Sequence, residues 1–294
     1  MGRLLFNILL KPLLYLISWL PFWMLYRLSD LLFVLAYYII GYRKKVVTEN
    51  LQRSFPEKSA GEIAIIRKQF YGQFCDVIVE TIKLLTIREK EFRRRCFMPE
   101  AEQQKFNQFL QHGRSIVGIA GHAGNWEWSG VAIQVYFSGK TTSTYHPLSN
   151  QSMDRFMLTL RSGFGGRLYP MNQLFKQLVA LRQKGITTLI GLVADQTPPP
   201  ESAYWTTFLN QDTPVFNGPE KLARKFDYPV IYMPMRRLKR GYYELEALVV
   251  TDTPHQLPEG EISERHVRIL ENEIKRLPYS WLWSHRRWKH KKPA

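Results

Sequence analysis

The sequence predicts an α/β protein in which a mixed central sheet is flanked by helices and preceded by an N-terminal membrane-associated helical segment. Three observations carry this. Short apolar runs of strand length alternate with helical repeats through most of the chain, which argues a layered α/β fold. Ahead of them, Pro12 to Tyr26 and Leu31 to Tyr42 carry no charge. At 294 residues the chain can bury one core, and no internal repeat, low-complexity segment or Gly/Ser linker divides it. The expected division is a helical segment over 1–42 and a single body over 43–294.

Neither uncharged run reaches the roughly 20 apolar residues of a clean spanning helix. Trp19, Phe22, Trp23, Tyr37 and Tyr38 are residue types that settle at a bilayer interface. The stretch reads as a helix or helical pair lying in one leaflet. A tilted span from Leu4 to Tyr26 with Lys11 snorkelling, or a helix buried in a soluble core, remain open. No small-residue cleavage site follows, so no removed signal peptide is read. Arg43, Lys44 and Lys45 would hold the body on the cytoplasmic side.

Pro56 opens a turn, and Ser59-Ala-Gly-Glu62 has the form of a capping box. Ile63, Ile66, Phe70, Phe74, Ile78, Ile82 and Leu85 follow at helical spacing as core positions. Glu80 and Lys83 read as a surface pair, and Arg93 to Arg95 as a solvated face or a contact for lipid head groups. Further strands are expected at Ser115–Ala120, Thr141–Tyr145, Thr188–Ala194, Val230–Met235 and Tyr243–Val250. Helices are expected at Trp126–Val135, Asn150–Leu160, Leu174–Arg182 and about Glu261–Arg276.

A net charge of +16 implies an anionic partner: nucleic acid, an anionic lipid surface or an acidic protein. Cys75 and Cys96 make no metal spacing and no disulfide framework, and read as buried thiols in a reducing compartment.

The chemistry centres on Gly118-Ile-Ala-Gly-His-Ala-Gly-Asn-Trp-Glu-Trp128. On one continuous helix His122 and Glu127 would point about 140° apart. They can meet if His122 sits in a strand-to-helix turn and Glu127 in the first turn of the helix. Gly121 and Gly124 permit unusual backbone angles there, and Asn125 suits the N-cap. A carboxylate on one imidazole nitrogen would fix the tautomer and free the other nitrogen to accept a proton. The motif has no Ser or Cys, which leaves the nucleophile to a substrate hydroxyl. A turn histidine beside a solvated glutamate is the bland alternative.

His-(x)4-Glu after a short strand resembles the acyltransferase motif of the glycerolipid and lipid A acyltransferase superfamily. The fuller Gly-His-Ala-Gly-Asn-Trp-Glu resembles the lipid A late-acyltransferase branch. Tyr145-His-Pro-Leu-Ser-Asn150 with Asp154 is similar to the family's second block, although many relatives carry Arg or Lys where His146 stands. Arg161 ahead of a glycine-rich turn, Asp195-Gln196 after a strand, and Phe208-Leu with Pro214 to Ala223 resemble later blocks. Pro278-Tyr-Ser-Trp-Leu-Trp-Ser-His-Arg-Arg-Trp-Lys289 is similar to the C-terminal signature.

The resemblance implies a glycerolipid acyltransferase-like fold and an acyltransferase domain over 43–294. It implies transfer of a fatty acyl group from a thioester, on acyl carrier protein or coenzyme A as co-substrate, to a hydroxyl, with no further cofactor and no metal. The catalytic candidates are His122 as base, Glu127 as its orienter, and Arg161 on the developing oxyanion or an acceptor phosphate. Arg161 also reads as a charge closing a helix. The substrate-binding candidates are Asn125, Asn150, Asp195, Gln196 and Arg286. Asp195 positions Arg161 or a backbone turn, or is simply a turn-forming residue ahead of Pro198. Trp281 and Trp283 suit either a membrane surface or the core.

The implied partners are acyl carrier protein, an anionic lipid or glycolipid acceptor, and the bacterial inner membrane, with the catalytic body on its cytoplasmic face. A lysophospholipid, an aminolipid or another glycolipid is the alternative acceptor. No helix-turn-helix, RNA-recognition or zinc-finger pattern supports a nucleic-acid partner. No third metal ligand stands out among His146, His255, His266 and His285.

Overall fold

The computed structural model describes residues 6–137 and 140–292. Its centre is a six-stranded sheet, whose strands we number in chain order. They are β1 (Ile116–Ala120), β2 (Thr141–Tyr145), β3 (Arg167–Pro170), β4 (Leu189–Val193), β5 (Val230–Tyr232) and β6 (Leu248–Thr251). Across the sheet they run β6-β5-β1-β4-β2-β3. All neighbours are parallel except β6 on β5, so the sheet is mixed. β1 is buried along its whole length, as a strand covered on both faces must be. Its side chains alternate between layers: Val117 and Ile119 join one core with Leu270 and Trp281, while Ile116 and Ala120 join another with Trp128 and Val131.

Two expected strands are each split. β5 stops at Tyr232, and Met235–Lys239 begins a second sheet with Tyr242–Leu245 and Cys96–Phe97. Pro234 lies between the two halves and has no N–H for a ladder. The expected Tyr243–Val250 strand likewise divides between that sheet and β6. A hairpin pairs Tyr204–Phe208 with Gln211–Val215, in a stretch for which no strand is expected from the sequence. Its turn residues Leu209 and Asn210 have φ of 48° and 64°. Such turns usually announce themselves by glycine, and this one lacks it.

The N-terminal segment is a helical pair. Lys11–Trp19 ends at Leu20-Pro21, and a second helix runs from Phe22 through Ile39. The break rules out one continuous helix from Leu4 to Tyr26, and Leu4 itself lies outside the described residues. Phe22–Ile39 is long and apolar enough to cross a membrane by length and composition, and only 17% of it is buried. Trp19, Trp23, Ile39 and Ile40 are exposed, whereas Leu25, Ser29 and Tyr37 are buried.

The buried side faces the Ala60–Lys83 helix, which the Ser59–Glu62 capping box opens. That helix is covered on more than one face, so its core is wider than the expected stripe. Tyr71, Cys75, Val77 and Val79 are buried, and Ile78 is exposed. Glu80 and Lys83 are not a surface pair. Glu80 is buried, and Lys83 donates to the carbonyls of Ser18 and Leu20 at 2.8 and 2.9 Å, closing the first apolar helix. The Arg93–Arg95 run is not a free basic face either. Arg93 and Arg94 pair with Glu89 and Glu91, and Arg95 is buried over the Phe22 ring. Cys75 and Cys96 are both free and buried.

Candidate active site

β1 and β4 lie side by side in parallel, with Ala120 opposite Val193. The residues two positions beyond those strand ends are His122 and Asp195. Parallel register therefore brings together groups 73 positions apart, at the carboxyl edge where open α/β sheets place their ligands. His122 Nδ1 bonds Asp195 Oδ1 at 2.6 Å, and the His122 backbone N–H donates to Asp195 Oδ2 at 2.8 Å. Trp281 Nε1 donates to the same Oδ2 at 2.7 Å.

These contacts set the electrostatics. Burial alone would lower the imidazole pKa, but the charge and hydrogen bond of Asp195, with help from Glu127, outweigh it and raise it above the ordinary value. Burial would raise the Asp195 pKa. Its bonds from His122 and Trp281 instead hold it well below the usual carboxylate range. Asp195 thus stays ionised and keeps a proton on Nδ1. Nε2 then takes the accepting role, and the Gln196 amide lies 3.2 Å from it.

The turn that carries His122 is held from outside. Gly124 has φ of 65°, and a Cβ there would lie 2.2 Å from the Met235 carbonyl oxygen, so glycine is required twice over. Gly121 does not use the left-handed region; a Cβ there would press on Leu270 and Tyr232. The C-terminal segment straps the turn down. The Leu282 N–H donates to the His122 carbonyl and the Gly124 N–H to the Ser280 carbonyl, each at 3.0 Å. Thr197 Oγ1 donates to the Arg287 carbonyl at 2.7 Å.

Asn125 caps the Trp126–Tyr136 helix by accepting from the Trp128 N–H at 3.0 Å, and its amide donates to buried Glu80 at 2.7 Å. Glu127 enters the first helical turn as expected, but its partner is not His122. It takes a two-bond clasp from Arg161, Nε at 2.9 Å and Nη2 at 2.6 Å. The expected orienting bond is therefore made by Asp195. Glu127 belongs to a helix wall, and Arg161, last residue of the Gln151–Arg161 helix, reaches across to it.

His122, Glu127, Arg161 and Gln196 all line one cavity of about 750 Å³. Its walls are otherwise largely apolar, with Val131, Ile133, Leu168, Leu192, Phe216 and Met233 among them. A histidine with one nitrogen fixed and the other left to accept, at the wall of a largely apolar cavity, suits proton removal from a hydroxyl beside a hydrocarbon chain.

A family model described as bacterial lipid A biosynthesis acyltransferase matches residues 5–290. The chain belongs to that family. It is an acyltransferase. A comparison with curated proteins gives no match.

Not every expected site residue reaches the cavity of this acyltransferase. Asn125 is fully buried with both ends of its amide engaged, which leaves nothing for substrate. Asn150 caps the Gln151–Arg161 helix, accepting from the Ser152 and Met153 N–H groups at 3.0 and 3.3 Å. Arg286 is exposed and outside the cavity lining. Its neighbour Arg287 is the buried one: it donates to the Pro214 carbonyl at 2.6 Å, and burial lowers its pKa to about 10. Two further residues support the site from behind. Trp281 is a core residue that also serves Asp195, and Glu80 supports Asn125 from beneath.

Proposed function

We propose that this acyltransferase moves a fatty acyl group from an acyl carrier protein thioester to a hydroxyl of a lipid A precursor, at the cytoplasmic face of a bacterial inner membrane. The observation that carries the reading is His122, with Nδ1 fixed by Asp195 and Nε2 left to accept, at the wall of the apolar cavity.

An alcohol is a weak nucleophile near neutral pH, so its proton must leave during attack. His122 Nε2 takes that proton as the hydroxyl oxygen bonds the thioester carbonyl carbon. The raised imidazole basicity and the Asp195 charge stabilise the imidazolium that forms. The tetrahedral intermediate collapses with cleavage of the carbon–sulfur bond, and the imidazolium returns its proton to the departing thiolate. Arg161, held by Glu127, supplies positive charge at the cavity wall for the oxyanion or an acceptor phosphate. Gln196 yields its place at Nε2 to the incoming hydroxyl. The exposed Trp19, Trp23, Ile39 and Ile40 seat the helical pair in the membrane interface, which would bring the site to its lipid acceptor.

The test is a mass-spectrometric assay of the full chain in detergent or vesicles. Donors are acyl carrier protein or coenzyme A carrying mixed acyl lengths, and acceptors are an underacylated lipid A precursor and a set of lysolipids. The expected result is gain of one acyl group by the lipid A precursor from acyl carrier protein. His122→Ala should lower it by about 10²–10⁴-fold with folding and membrane association kept. Acylation of a lysolipid in its place would replace the acceptor. Near-normal turnover by His122→Ala would remove the base assignment.

A further inference from the structure

Gly130 sits in the second turn of the Trp126–Tyr136 helix, three positions after Glu127. Glycine weakens a helix interior relative to alanine. A packed neighbour or a left-handed backbone usually explains its presence, and Gly130 has neither. Its φ is not positive, and a Cβ built on it would meet nothing within 4 Å. It is exposed, and it lines the cavity that holds His122 and Glu127. Gly191 on the facing β4 strand is different. A Cβ there would lie 2.9 Å from both Ile133 Cδ1 and Ser143 Oγ, so packing accounts for it.

A side chain at 130 would therefore enter open space at the wall of the cavity that Gly130 lines. Along the helix, Gly130 is about 4.5 Å beyond Glu127. One further turn brings Gln134, whose amide is tied to the carbonyls of Gly130 and Arg161 and to the Gly166 N–H. The wall is thus charged at Glu127, open at Gly130, and fixed at Ile133 and Gln134.

We propose that Gly130 sets acyl-chain selectivity, by keeping open the passage that the hydrocarbon of the acyl donor follows beyond the reacting carbonyl. The inference rests on the cavity being the acyl site. Any side chain at 130 takes volume from that passage, and longer chains lose more than shorter ones.

The experiment competes a ladder of acyl lengths on acyl carrier protein, using the full-length enzyme and its Gly130→Ala and Gly130→Leu variants. The readout is the ratio of kcat/KM for long over short chains. One methylene's worth of pocket space discriminates by about tenfold or more, so Gly130→Leu should shift the ratio toward short chains by at least about tenfold, with Gly130→Ala between. Gly130→Ala should also raise Tm, because nothing packs against the new methyl. That measurement keeps the inference testable if the leucine variant folds poorly.

A ratio unchanged in both variants, or a Gly130→Ala enzyme with lowered Tm, would overturn the proposal. A donor with a photoreactive group at the chain end separates the two levels of the argument. Crosslinks to the 126–136 helix or to β4 with an unchanged ratio would defeat Gly130 alone. Crosslinks only to residues outside the cavity lining would remove the cavity as the acyl site, and the Gly130 proposal with it.

Discussion

Two carboxylates flank His122, and they do different work. Asp195 is almost wholly buried, accepts three hydrogen bonds, and gains two of them from His122 itself. Glu127 is closer in sequence yet turns to Arg161, and both partners remain partly open to the cavity. The Asp195 side is a fixed frame in which both carboxylate oxygens are engaged. The Glu127 side is a charged wall beside the passage. Proximity along the chain placed Glu127 in the neighbourhood, whereas strand register decided which acid holds the ring.

The sharpest way to break this comparison is to remove charge from each acid in turn. Asp195→Asn should be the larger loss. Oδ2 accepts from two donors, the His122 N–H and Trp281 Nε1, so the asparagine oxygen must take that place. Its NH2 then faces Nδ1, which has to accept, and the ring proton moves to Nε2 where the base is needed. Loss of kcat by about 10²-fold or more is expected with Tm little changed. An Asp195→Asn enzyme as active as the parent would return the orienting role to Glu127.

Glu127→Gln and Arg161→Lys should each cost less, about tenfold in kcat/KM. Lysine cannot make two parallel bonds, and glutamine offers no charge, so either change loosens the clasp while His122 stays framed. If the two act as one unit, the double variant loses little more than either single variant. Simple multiplication of the two losses would show separate roles.

This contrast also marks what the sequence could reveal. The alternation of strands and helices, the capping box at Ser59 and the Asn125 cap are local, so period and spacing exposed them. β1 and β4 were visible as apolar runs, but their adjacency was not, because pairing is a non-local choice. With that register known, His122 and Asp195 follow at once, each two residues past a paired strand end. Glu80 misled for a similar reason. A glutamate three positions from a lysine on a helix resembles a solvated pair, and non-local neighbours bury it: the helix at Phe22–Val34, the strand at Tyr242–Leu245, and Asn125 with Trp128. The Leu209-Asn210 hairpin carried no glycine signal at all. The family motifs, by contrast, named Asp195, Arg161 and the C-terminal signature without showing which touches which.

Trp281→Phe sharpens the comparison on the Asp195 side with a smaller effect. It keeps an aromatic ring, though a smaller one, and deletes one donor to Oδ2. The carboxylate then becomes more basic and holds the imidazolium more strongly, so the His122 pKa rises further. Activity needs neutral His122, so the acidic limb of the kcat/KM–pH profile should move to higher pH, with a loss of a few-fold at neutral pH. The same substitution with an unmoved limb would make Trp281 a packing residue only. Asp195→Asn should move the limb the other way, because the cause of the raised pKa is gone.

The smallest effect on turnover is expected beneath the turn, at Glu80. Burial, reinforced by the Asp76 charge, raises its pKa from 4.5 to about 7, although bonds from Tyr243 and Tyr26 pull it down. A carboxyl whose folded pKa exceeds its unfolded value binds more protons in the native state, so its contribution to stability falls as pH rises between those two values. Glu80→Gln can keep its oxygen toward Asn125 and Tyr243 and turn its NH2 to the Tyr26 hydroxyl, as the protonated acid would. Turnover should stay within about twofold, and the decline in Tm from about pH 4.5 to 7 should flatten. Glu80→Ala is different, because it strands the Asn125 amide in the interior at a cost of about 1–3 kcal/mol. A Glu80→Gln protein with the same pH slope as the parent would place the titrating group elsewhere. A large loss of turnover would instead tie Glu80, through Asn125, to the geometry of the helix end that carries Glu127.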